Sequence, residues 1–181
     1  MMKFLDRCIE SIALTLFLLY IHLADMAVRG DWLLPYLLAS GIGIAATVYI
    51  WCRGIILNRL FLGITLYFCS GVASLLIGWD WLNQHYGELG AVAMLGWILA
   101  VGLISSLTSP RGFLGVSTPG YFSLKGGSML LMFACVIASI TAVGFMDNAL
   151  LGQWLPFIFL FSMRSLLQHL DKKMLNAPVA A

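Results

Sequence analysis

The stretch LFLGITLYFCSGVASLLIGW, Leu60–Trp79, lies between Arg59 and Asp80 and holds no charged side chain. As a helix it rises about 30 Å, the hydrocarbon thickness of a bilayer. A helix also closes its own backbone hydrogen bonds, which a chain in lipid must do. This one segment therefore predicts a transmembrane helix, and the rest of the chain repeats the pattern.

Apolar residues fill 61% of the 181 positions and charged residues only 10%, with a mean hydropathy of +0.97. Soluble domains carry about a quarter charged residues, so the composition points to a polytopic membrane protein. Further apolar runs are cut off by charges and turn residues. The expected fold is all-α, a six-helix transmembrane bundle with spans at about 9–28, 32–52, 60–79, 89–107, 128–145 and 149–167. Residues 1–176 are read as one transmembrane domain and 177–181 as a flexible tail. The sixth apolar run, Ala149–Met163, is short. It must recruit Arg164 to Leu167 to cross, with the Arg164 guanidinium snorkelling to the headgroups.

Charge orients these spans. With a cytoplasmic N-terminus, Lys3, Arg7, Arg53, Arg59, Arg111, Lys125, Arg164, Lys172 and Lys173 fall inside, and of the ten Lys and Arg only Arg29 falls outside. That asymmetry follows the positive-inside rule and places both termini in the cytoplasm, with a bacterial inner membrane as the expected location. The first segment has a signal-peptide-like basic start and apolar centre, but Glu10 and Asp25 suit a retained helix better. Cys8, Cys52, Cys69 and Cys135 fall at cytoplasmic ends or within spans, so four free thiols are expected.

Tryptophan marks the same map. DWL occurs at Asp31–Leu33 and Asp80–Leu82, and QWL at Gln153–Leu155. Trp32, Trp81 and Trp154 all fall on the outer side, where an indole sits between headgroups and acyl chains, so they are read as interface anchors. Small residues at helical spacing, Gly41–Ala45 and Gly43–Thr47 in the second span and Ala138–Ala142 in the fifth, allow close helix contact. Asn58, just before the third span, is placed either to cap it or to bond across the interface.

Residues with chemical potential are few. His22 and Asp25 lie three apart and share a helix face, making a candidate intramembrane polar pair. The longest cytoplasmic connection, about Ser106 to Gly127, is rich in Gly and Pro, and its Arg111 and Lys125 are candidate headgroup or anion contacts. It lacks both phosphate-binding glycine signatures. The outer segment DWLNQHYGE is read as a polar loop, with acids that the charge rule leaves outside anyway. Ser105, Ser106, Ser109 and His169 show no nucleophile–base spacing. No catalytic residue, metal ligand or cofactor is expected. The expected partners are membrane lipids and other membrane chains, including further copies of this one. A net charge of +2 without a basic run excludes nucleic acid.

From Arg53 to Gly115 the chain resembles small bacterial inner-membrane proteins of the intracellular septation protein A type. The resemblance rests on the basic turn before Asn58, the Gly-bearing third span, Trp81 in the outer turn, and SSLTSPRGFLG after the fourth span. It implies a non-enzymatic role linked to the envelope or to division, without a defined reaction. The alternative expectation is a small proton-coupled transporter or channel using His22 and Asp25.

Overall fold

The computed structural model describes residues 32–54, 56–115 and 124–175. Among these residues there is no strand. The helices are α1 (Leu33–Cys52), α2 (Arg59–Ile77), α3 (Asp80–Leu89), α4 (Ala91–Thr108), α5 (Leu124–Gly144) and α6 (Leu155–Leu175). A π-helical segment, Ala149–Trp154, leads into α6. Among the described residues, five segments are long and apolar enough to cross a membrane: Leu33–Cys52, Arg59–Ile77, Ala91–Thr108, Gly126–Gly144 and Leu150–Leu170. The expected first span, with His22 and Asp25, lies outside the described residues. The described residues are all-helical, and their apolar spans make the chain an integral membrane protein.

The chain divides into two compact units between Leu89 and Gly90. In the first, α1 and α2 pack through small residues. A Cβ added at Gly43 would come 2.9 Å from Thr65 Oγ1, and one at Gly71 would come 2.5 Å from the ring of Tyr36. Without a driving force to bury apolar surface from water, such close approach is what holds helices together in lipid. Gly41 faces open space instead, and Ala45 beside it is exposed. Among the described residues, only one of the two small-residue stripes in this helix therefore meets a neighbouring helix. The start of α2 is set by Asn58, whose Oδ1 accepts from the Leu60 N–H at 3.1 Å. Its end is set by Gly78, left-handed at φ +72°, and by the Trp79 N–H, which returns to the Ser74 carbonyl at 2.9 Å. That is a Schellman closure, which needs glycine at the turn.

In the second unit, Ala138 and Ala142 of α5 are buried as expected, with Phe157, Leu160 and Leu167 of α6 in the same core. Asn148 Oδ1 accepts from the N–H groups of Leu150 and Leu151, starting the π segment. Gly152 is required there, because a Cβ would run into the Phe145 backbone.

Three boundaries differ from expectation. The last span crosses by recruiting residues beyond Met163, as expected, but it runs to Leu170 rather than 167, with 21 residues from Leu150 and a rise of about 31 Å. Beyond Met163, Leu167 is buried and Gln168 donates to the Leu114 carbonyl. α5 begins at Leu124 rather than Ser128, because Gly126 and Gly127 fall in its first turn and do not break it. Helix cost from glycine is about 1 kcal/mol each, small beside the packing of the span that follows. DWLNQHYGE, expected to be a loop, forms α3, and the next helix starts at Ala91 rather than Leu89.

Candidate functional site

Polar side chains in the first unit converge where α1, α2 and α3 meet. Tyr67, Ser70 and Ser74 lie on one face of α2, at spacings of three and four. Tyr36 of α1 reaches Tyr67 with a hydroxyl–hydroxyl distance of 2.7 Å, and both residues are buried. From α3, the Tyr86 hydroxyl lies 2.7 Å from Ser70 Oγ, and its ring lies against that of Tyr67, tilted by 37° with centroids 4.8 Å apart. Asn83 meets Ser74 twice: its Oδ1 accepts from the serine hydroxyl, and its Nδ2 donates to the Ser74 carbonyl at 3.2 Å.

These pairings explain the direction of α3. Position 83 meets 74 and position 86 meets 70, so the helix turns back along α2. The most polar segment of the chain therefore does not stand free in water. It forms hydrogen bonds with a polar stripe on the span before it. On its other side Trp79 and Trp81 are exposed, with ring centroids 6.4 Å apart, and the His85 ring lies 4.3 Å from Trp81. His85 Nδ1 lies 2.8 Å from the Trp81 carbonyl, and a carbonyl accepts only, so Nδ1 carries the proton of that bond.

The chemistry of the cluster is that of neutral hydroxyls and one amide. It supplies donors and acceptors without charge, which suits the fastening of helices in a low-dielectric layer. Other span hydroxyls act locally: Thr47, Thr65 and Ser139 each donate to the carbonyl four residues earlier.

The described residues of the second unit hold a polar junction of comparable build. After α4 the chain folds inward at Phe113 and Leu114, both buried. Their N–H groups donate to Ser128 Oγ of α5 at 2.8 and 3.4 Å, and Gln168 of α6 donates to the Leu114 carbonyl at 3.3 Å. The Phe113 ring fills the space left by Gly102. Gly112 and Gly115 donate to the carbonyls of Ser109 and Arg111. The amides of 112 and 115 thus serve the turn itself and those of 113 and 114 tie it to α5, so Arg111, which is exposed, is the part of this segment available to a headgroup. Lys125 lies in the first turn of α5.

The remaining sequence candidates are scattered. Trp32 precedes α1 and is half-buried, its ring 6.3 Å from Tyr36; Trp81 is exposed; Trp154 is half-buried in the π segment. Among the described residues no group of three or more His, Cys, Asp or Glu converges to hold a metal. Ser106 donates to the Gly102 carbonyl and contacts Met132 Sδ, and His169 is exposed on α6. Cys52, Cys69 and Cys135 are free thiols. Cys8 lies outside the described residues.

Sequence reasoning missed the tyrosine–serine cluster. Its signal was present as two polar stripes, Tyr67–Ser70–Ser74 and Asn83–Tyr86, each at helical spacing. Reading the second as a loop hid the match. Neither a protein-family model, nor a curated protein, nor a solved structure matches this chain.

Proposed function

We propose that this is a non-enzymatic integral protein of the bacterial inner membrane, acting in envelope maintenance through helix and lipid contacts. Its six spans, counting the segment at 9–28, leave both termini in the cytoplasm. The observation that carries this reading is the use to which buried polarity is put. Tyr36–Tyr67, Tyr86–Ser70 and Asn83–Ser74 join helices to one another, while large apolar side chains such as Leu34, Trp51, Leu76 and Ile140 cover the outside. The resemblance to the septation protein A type supports the same role. The distribution of charge supports the orientation, since Arg53 and Arg59 share one end of the first unit while Trp79 and Trp81 occupy the other.

Complementation tests it. A strain lacking the protein should show raised sensitivity to detergent or osmotic shock. Wild type and the His22→Ala/Asp25→Asn double variant should both restore resistance, and Gly71→Leu, which forces α1 from α2, should not. Proton flux into proteoliposomes that is abolished by Asp25→Asn would overturn this role in favour of a transporter. So would a deletion strain with an unaltered envelope.

A further inference from the structure

α3 has an unusual construction for a helix that follows a span. It is ten residues long, none of them buried. A left-handed glycine stands at each end, Gly78 at φ +72° and Gly90 at φ +49°. Positive φ is readily reached by glycine and disfavoured for other residues, so these are the points at which the backbone direction changes most freely. Two side-chain pairings fasten the helix to α2: Tyr86 to Ser70, and Asn83 to Ser74. Beneath it lies the buried Tyr36–Tyr67 hydroxyl pair, with the Tyr86 ring covering one face of Tyr67. Low burial and side-chain fastening mark segments that open locally at far lower free energy than the core.

We propose that α3 is a hinged strap that opens as a unit about Gly78 and Gly90, uncovering the Tyr36–Tyr67 hydroxyl pair. In the closed state Tyr86 and Asn83 occupy the polar stripe of α2. In the open state Ser70, Ser74 and the tyrosine pair are presented together, as a row of neutral donors and acceptors on α1 and α2. The aromatic edge formed by Trp79, Trp81 and His85 moves with the strap. Because Trp79 and Trp81 are already exposed, opening exposes no large new apolar surface on that side.

Hydrogen–deuterium exchange of the full chain in nanodiscs reads the motion directly. In wild type the amides of Asp80–Leu89 should exchange together, at least ten-fold faster than those of Leu60–Ile77. Tyr86→Phe keeps the ring and removes the hydroxyl bond to Ser70, and should speed α3 exchange about five-fold without changing α2. Ser70→Ala removes the same bond. It should give a similar increase, and the double variant should be no faster than either single one. A disulfide between Ser74→Cys and Asn83→Cys should bring α3 exchange down to the level of α2, and reduction should restore it. Four results would each overturn the strap. These are equal exchange of α3 and α2 in wild type, joint acceleration of both helices in the variants, additive effects of the two single changes, and no effect of the disulfide.

Discussion

A methyl group added at Gly71 should destabilise the protein, while the same group added at Gly41 should stabilise it. Both glycines lie within spans, and alanine is favoured over glycine in a helix by about 1 kcal/mol. At Gly41 nothing lies within 4 Å of the new Cβ, so Gly41→Ala should gain about 0.5–1 kcal/mol. At Gly71 the new Cβ meets Tyr36 Cε1 at 2.5 Å and Cδ1 at 2.6 Å, where ordinary contact begins at 3.4 Å. The Tyr36 ring is not free to withdraw. Its hydroxyl is held 2.7 Å from that of Tyr67, and its ring lies 6.2 Å from that of Phe68. The helices must part by roughly 1 Å, an overpacking cost of about 1–3 kcal/mol. Loss of the tyrosine pair would add about 1 kcal/mol. Subtracting the propensity gain leaves Gly71→Ala destabilised by about 1–3 kcal/mol. Equilibrium unfolding in mixed micelles with rising SDS fraction, followed by tryptophan fluorescence, measures both variants. A double-mutant cycle with Tyr36→Leu should return a coupling of at least about 1 kcal/mol, because removing the ring removes the clash. Gly71→Ala as stable as Gly41→Ala would refute the packing of α1 on α2 described above.

Asn58→Ala should cost about 1 kcal/mol through loss of the α2 cap, and Asn58→Ser should recover most of it, read as the melting temperature in detergent. Ser128→Ala leaves the buried N–H groups of Phe113 and Leu114 without their acceptor and should cost about 1–3 kcal/mol in the same assay. Ser106→Ala, whose hydroxyl donates within its own helix, should be nearly neutral by comparison. Cys52 is exposed and Cys135 buried, so a maleimide should modify Cys52 in the folded protein and Cys135 only after unfolding. In intact cells a membrane-impermeant maleimide should reach Cys52 only after permeabilisation; labelling from outside would reverse the proposed orientation.

Much of the fold was legible because a bilayer constrains sequence so severely. Long uncharged runs such as Leu60–Trp79 have no soluble alternative, and each run that falls within the described residues corresponds to a helix. Asn58 was legible as a cap because a short polar side chain before an apolar run has a local role. The errors arose where local signals were weak. DWLNQHYGEL is too short and too polar to announce a helix. It becomes one because α2 offers Ser70 and Ser74 to receive Tyr86 and Asn83. Gly126 and Gly127 resemble helix breakers, yet the span beyond them outweighs their cost.

Sequence by itself determined the class of this protein: apolar length and scarce charge require helices that cross a membrane. Basic residues and tryptophans at opposite span ends supplied an expected direction for them. Only the tertiary structure decided which small residues are contacts and which are surface, separating Gly43 and Gly71 from Gly41. It alone joined Tyr36, Tyr67, Tyr86, Ser70, Ser74 and Asn83 into one cluster. The physical reason is that hydrophobicity and helical period depend on neighbours in the chain. Steric fit and hydrogen-bond partnership depend on which face of one helix meets which face of another.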